Sequence, residues 1–353
     1  MSYYTLPKNI NNINVNPKCS YQVCSPCISL SLLYYYDQIK NQIIIDNIYD
    51  DISNNFFDDA IKIVNPYEFI FSKVPGSKFS VSKLKPKTNL FYDLFEIHNS
   101  LSTFDLFKGS SIKSLHISSN YNDSIECNEM FRENSNDIYL FDTDTHIDNN
   151  LLNEKFDYIF VETNNDKYFV SIVEILLLIL KNQKHNGNCI IKINDLSHKP
   201  SIDFLYFLSS LYDSTHIVKP STNNITSFDK YIVCKNFNYD ELSNNYLKLN
   251  YLKLLVFLKK IDDKHVNDIL DFEVPYYFKN KIDDINMIIG QQQIDALDKL
   301  ISIYKNKNKN EKIETIKKTN IQKSVSWCEK YKIPCNKFTE KINIFLPIVN
   351  ETI

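Results

Sequence analysis

Glycine is nearly absent from this sequence. It occurs at Gly76, Gly109, Gly187 and Gly290 only, 4 times in 353 residues, where roughly 7% would be usual. A phosphate or cofactor loop built on clustered glycines, which brings a ligand against bare backbone, is excluded by that count. A surplus of positive charge is missing too: 40 Lys and Arg stand against 43 Asp and Glu, a net charge of −3. No global field draws nucleic acid to such a chain, so contact with it requires a local patch. Long hydrophobic runs are also lacking. The longest, residues 172–180, is broken by Glu174 and falls far short of a bilayer span. The opening MSYYTLPKNI lacks the apolar centre of a signal peptide. The 8 cysteines are scattered without framework spacing, which leads us to expect reduced thiols and a cytoplasmic setting. Cys19, Cys24 and Cys27 would supply three ligands of a zinc site, but no fourth Cys or His lies nearby. Three buried thiols and no metal are expected there.

What the chain does have is short β-branched runs alternating with amphipathic stretches. The pattern predicts strands over residues 111–117, 138–141 and 156–161, and helices over 29–48, 91–100 and 169–181. The centre, residues 187–237, opens with GNCIIKINDL and continues with a helix-length segment carrying Phe204, Phe207, Leu208 and Leu211 on one side. A strand at 216–219, a loop started by proline and a last strand at 231–233 follow. This alternation predicts an α/β fold with a doubly wound, mostly parallel sheet closed by a C-terminal antiparallel hairpin. Lys192 sits inside an apolar run, where an amine is costly without a partner or a task. Tyr34, Tyr35 and Tyr36 are expected to face the core, His98 to be half-buried on its helix, and the Asn-rich residues 1–17 to be poorly ordered. Beyond residue 237 come the leucine-periodic YLKLNYLKLLVFLKK and helical stretches at 288–304 and 313–331. Such helices pack on the sheet or on a partner. The chain thus divides into an N-terminal helical extension (1–65), an α/β domain (66–237) and a C-terminal helical extension (238–353).

Lys78, Lys83, Lys85 and Lys87 form the most basic local stretch, with no acid between residues 70 and 90. It reads equally as a phosphate-contacting RNA patch and as an exposed loop.

The segments GNCIIKIND, IVKPST and SFDKYIVCKNF, with VPGSKFSVSKLKP at residues 74–86 and the tail pieces IIGQQQIDALDKLI and NIQKSVSWCEKYKIP, resemble the FtsJ-like RNA ribose 2′-O-methyltransferases. The likeness is greatest to their branch in large cytoplasmic DNA viruses, and the richness in Asn, Ile, Lys and Tyr suits an AT-rich genome. The resemblance implies a Rossmann-like methyltransferase sheet, S-adenosylmethionine as methyl donor, and a Lys-Asp-Lys-Glu tetrad whose central lysine is the base.

Carried over position by position, the tetrad becomes Asp93, Glu162, Lys192 and Asp229, with only the central lysine retained. Three carboxylates around one ammonium hold its proton on, away from duty as a base. The Asp and Glu exchanges also move each carboxylate by one methylene, and a misplacement of ~1 Å can cost on the order of 10²-fold. The resemblance puts the cofactor turn at Ser119, Asn120, Tyr121, Asn122 and Asp123, where every glycine is gone and a tyrosine stands at the tight point. Asp142 and Asp144 are most simply a strand-end turn, although they also match a remnant of a cofactor-side acidic motif. The segment between the turn and FDYIF is short, so the strand whose acid binds the cofactor ribose is expected to be lost.

Two functions follow. The leading one is a degenerate methyltransferase fold that transfers no methyl group, uses no cofactor, and binds RNA or a capped end or supports a protein partner in viral mRNA processing in the host cytoplasm. The other is an active S-adenosylmethionine-dependent RNA cap 2′-O-methyltransferase. Neither involves a membrane.

Overall fold

The structure is a computed structural model and describes residues 1–45, 56–143, 154–163, 167–239, 245–261, 263–306 and 310–336. The chain opens with β1 (Ser2–Thr5), β2 (Lys18–Ser20), α1 (Leu30–Ile45), α2 (Phe56–Val64) and α3 (Leu90–Leu101). Alternation then sets in: β3 (Lys113–Ile117), α4 (Tyr121–Arg132), β4 (Ile138–Asp142), β5 (Phe156–Glu162), α5 (Tyr168–Asn182), β6 (Gln183–Ile193), α6 (Lys199–Leu211), β7 (Tyr212–Lys219) and β8 (Lys230–Phe237). It closes with α7 (Asn245–Leu258), β9 (His265–Asp268), α8 (Tyr276–Lys305) and α9 (Asn310–Lys330).

Seven strands form one sheet in the order β1-β7-β8-β6-β5-β3-β4. From β4 through β3 and β5 to β6 the pairing is parallel; β6-β8, β8-β7 and β7-β1 are antiparallel. This is the expected Rossmann-like methyltransferase sheet with its antiparallel hairpin. The alternation of β6 explains how a lysine lives in its apolar run. Cys189, Ile191 and Ile193 enter the core shared with α5 and α6, while Ile190 enters the core beneath α3, and Lys192 shares the face of Ile190. Gly187 is required where β6 bends against β5: a Cβ there would lie 2.9 Å from the Asp157 carbonyl and 2.8 Å from that of Lys184.

Three expectations are corrected. Residues 2–5 are an edge strand of the sheet rather than a poorly ordered arm. The segment after them is tied down by buried Asn250 of α7, which accepts the Val15 N–H at 2.9 Å and donates to the Ile13 carbonyl at 3.2 Å. Tyr34 and Tyr35 are exposed rather than core-facing. His98 is wholly buried rather than half-buried, because α4 packs against α3. The outer side of α3 is covered in turn by α9, whose Trp327 and Tyr331 meet Tyr92 and Phe95 edge-on at 5.9 and 6.5 Å. Among the described residues no helix is long and apolar enough to cross a membrane.

Candidate active site

β3 turns outward to β4, and the chain then returns to β5 on the other side of β3. The carboxyl ends of β3 and β5 therefore flank a topological switch point, where open α/β sheets bind their ligands. The parallel register sets Glu162 beside Lys192, and the antiparallel register sets Lys192 beside Tyr231. Side chains paired in register share a face, here the face under α3. Lys192 Nζ lies 2.7 Å from Glu162 Oε1 and 3.9 Å from Asp229 Oδ2. Asp93, in the first turn of α3, is buried and accepts hydrogen bonds from the Thr222 hydroxyl, from Asn223 Nδ2 at 2.8 Å and from the Tyr231 hydroxyl at 2.9 Å. The structure thus gathers all four positions that the resemblance marked, with Asp93 acting on Lys192 through its charge.

The electrostatics follow from that geometry. Burial works to strip the Lys192 proton, but Glu162, Asp229 and Asp93 outweigh it, and the net direction is upward. Lys192 is an ammonium at neutral pH, with no lone pair for the proton of an attacking hydroxyl. Burial pushes Asp93 up to about 6, against the pull of Asn223, Thr222, Tyr231 and Lys192.

A second lysine escaped sequence reasoning. Lys219, at the end of β7, is buried, and burial pushes its amine down to about 7. Its Nζ donates to the carbonyls of Asn224, Ser227 and Asp229 at 3.0, 2.9 and 2.7 Å. Its three N–H bonds are thereby spent on backbone, and its work is to hold the 220–229 loop that carries Asp229. The only signal was a Lys-Pro pair at a strand end.

The turn after β3 is closed by side chains. The Ser118 hydroxyl donates to the Glu162 carboxylate and accepts the Asn120 N–H at 2.9 Å, joining the ends of β3 and β5. Asn120 has φ −111°, and no residue of the turn is left-handed. Loss of the glycines therefore costs clearance here, not backbone strain. Tyr121 stacks on Phe141 with ring centroids 4.1 Å apart and planes 8° from parallel, so an aromatic pair flanks the end of β4. Asp123 is buried and accepts the N–H groups of Lys87 and Thr88 at 3.0 and 2.6 Å; Ser119 and Asn122 are exposed.

The strand predicted over residues 138–141 is present as β4. β4 runs parallel to β3 on its outer side and ends at Asp142, whose Oδ1 accepts the Thr143 N–H at 2.7 Å and whose carbonyl accepts the Ser118 N–H at 3.1 Å. Asp144 lies outside the described residues. Lys78, Lys83, Lys85 and Lys87 are all exposed, on a loop pinned by the Lys83 N–H to the Pro334 carbonyl at 2.8 Å and by the Lys87 N–H to Asp123. Cys19, Cys24 and Cys27 are partly exposed rather than buried, and among the described residues no cluster of three metal-ligating side chains occurs.

No protein-family model matches the chain. A phosphoethanolamine N-methyltransferase 2 of Haemonchus contortus, solved with S-adenosyl-L-methionine, overlays 42% of this chain and 38% of its own at 13% identity and a TM-score of 0.29, a likeness too low to bear on function. In sequence, 73 residues are 27% identical to a cap-specific mRNA (nucleoside-2′-O-)-methyltransferase 2 of Drosophila melanogaster, covering 21% of this chain and 10% of that protein. A stretch of 131 residues is 27% identical to the cap-specific mRNA (nucleoside-2′-O-)-methyltransferase 1 of Leishmania braziliensis, covering 36% of this chain. The chain spans 32% of the length of that Leishmania protein, and over those stretches it is similar to cap-specific 2′-O-methyltransferases.

Proposed function

We propose that this protein is a methyltransferase-fold subunit that transfers no methyl group and serves viral mRNA processing by binding RNA or a capped end or by supporting a partner. One observation carries the reading: Lys192 is held by Glu162 at 2.7 Å with Asp229 and Asp93 around it, so the retained amine keeps its proton. The Ser118 to Glu162 bond and the Tyr121–Phe141 stack support it, since the residues of the turn do not offer the bare backbone an S-adenosylmethionine cradle needs. The viral setting and the host cytoplasm rest on the resemblance of the sequence segments and on composition. Calorimetric titration with S-adenosylmethionine should release no heat up to millimolar donor; binding in the micromolar range (about −8 kcal/mol) would contradict the proposal.

One observation favours the active alternative. Asp142 ends β4 opposite Ile117 of β3, the place from which an acid reaches a cofactor ribose in doubly wound sheets. The same titration, followed by an assay for methyl transfer to capped RNA, decides between the two.

For RNA, the exposed lysines make a separate prediction. Reversing Lys78, Lys83, Lys85 and Lys87 to Glu should weaken single-stranded RNA binding and flatten its salt dependence by about 0.7 in slope per lost phosphate contact, roughly 3 for all four. Affinity and slope that stay as they were would remove this loop from the RNA path.

A further inference from the structure

α7 is apolar on two sides. Leu247, Asn250, Leu254 and Phe257 are buried, and this side packs on α5. On the other side Leu249, Leu252 and Val256 are 47%, 46% and 48% exposed. Their spacing of three and then four is that of a, d and the next a in a heptad, and it puts the buried residues at b and f. Lys248 falls at g, Lys253 and Lys260 fall at e, and Lys259 continues the d row just past the last turn. No acid occurs from residue 245 to 261, and among the described residues none of these four ammonium groups lies in an ion pair. A coiled-coil seam rimmed by one sign of charge selects a partner helix with the opposite sign at its own e and g positions.

We infer that the outer face of α7 docks an acidic amphipathic helix of another protein, with leucine-like residues against Leu249, Leu252 and Val256 and glutamates against the lysines. A second copy of this chain does not suit, because it would bring lysine against lysine. A lipid surface suits less well: the seam is three aliphatic side chains over about 10 Å of helix, without the broad aromatic-bearing face of an interfacial helix. RNA suits least, since the seam has no aromatic ring for a base to stack on. The inference lies away from the tetrad and does not depend on whether Lys192 is catalytic.

The test uses the full chain and a labelled synthetic helix of about three heptads with leucine at a and d and glutamate at e and g, followed by fluorescence anisotropy. A sister peptide with lysine at e and g, phosphatidylserine vesicles and a single-stranded RNA are the comparisons. The glutamate helix should bind in the micromolar range, about tenfold or more tighter than the lysine helix. Leu252→Gln should weaken it about tenfold, and so should Lys248→Glu with Lys260→Glu. All three positions are at the surface, and should Leu252→Gln fold poorly, the charge-reversed variant reads the same contact. No binding, equal binding of the two peptides, or binding untouched by these variants overturns the proposal. So does vesicle or RNA binding lost in Leu252→Gln while the glutamate helix goes unbound.

Discussion

Lowering the pH from 7 to 5 should remove about 3 kcal/mol of folding stability, and two buried histidines set the size of that loss. His98 and His116 are both fully buried between α3, α4 and the sheet. His98 Nδ1 lies 2.6 Å from Thr103 Oγ1; His116 lies 2.8 Å from Ser124 Oγ by Nδ1 and 3.0 Å from Ser114 Oγ by Nε2. Burial pushes each from 6.5 to about 3. A histidine depressed in the fold contributes stability above its unfolded value of 6.5, and that contribution drains away as the pH falls toward 3. Over the 1.5 pH units down to 5 each loses about 2 kcal/mol, at about 1.36 kcal/mol per unit. Asp93 runs the other way: raised to about 6 by burial, it returns about 1 kcal/mol over the same interval. Asp195, lowered to about 2 with His198 and Ser197 outweighing its burial, takes the same sign as the histidines only below the unfolded carboxylate range. Urea unfolding at the two pH values measures the difference. A profile that stays level from 7 to 5, or a His98→Phe, His116→Gln double variant as acid-sensitive as the parent, would refute this assignment.

Removing the Asp93 carboxylate should cost the fold about 3 kcal/mol. Its two oxygens accept three buried donors, from Thr222, Asn223 and Tyr231, and through the first two they hold the loop that brings Asp229 to Lys192. Asp93→Ala leaves those donors unpaired at about 1–3 kcal/mol each; release of a buried carboxylate that burial itself disfavours offsets part of the sum. Asp93→Asn keeps the shape and half the acceptors and should cost far less. Asp93→Lys, which restores the family residue, should be worse than alanine, because an ammonium would face three donors. It should also fail to produce methyl transfer. Chemical denaturation of the three variants gives the order; a stable, transferring Asp93→Lys protein would mean that the site is one residue from activity.

The same carboxylate marks how far reading along the chain could go. The strands from β3 to β8, with α5 and α6 between them, follow from local periodicity, because alternation at two residues or at three to four is a property of neighbours in sequence; α4 does not. The position of Lys192 within β6, and therefore which face it takes, follows too. The partners of Asp93 do not. Thr222 and Tyr231 lie more than a hundred residues further on, and only the packing of α3 onto the sheet brings them within reach. Lys219 was opaque for the same reason: only the 220–229 loop folding back over it makes it a buried clamp.

The N-terminal strand shows the limit from the other side. Residues 2–5 and the Asn-rich segment after them carry little local signal, and their order comes from the open edge of β7 and from Asn250 of α7. The amino-acid sequence by itself determined the period of each element and the shortage of glycine after β3, and the resemblance marked the acids that would surround one amine. The tertiary structure decided which of those acids touch the amine, that a serine and an aromatic pair close the turn, and that α7 keeps an apolar seam outward. Contacts between residues far apart in the chain depend on how packed layers exclude water and pair their polar groups, and no local pattern encodes that.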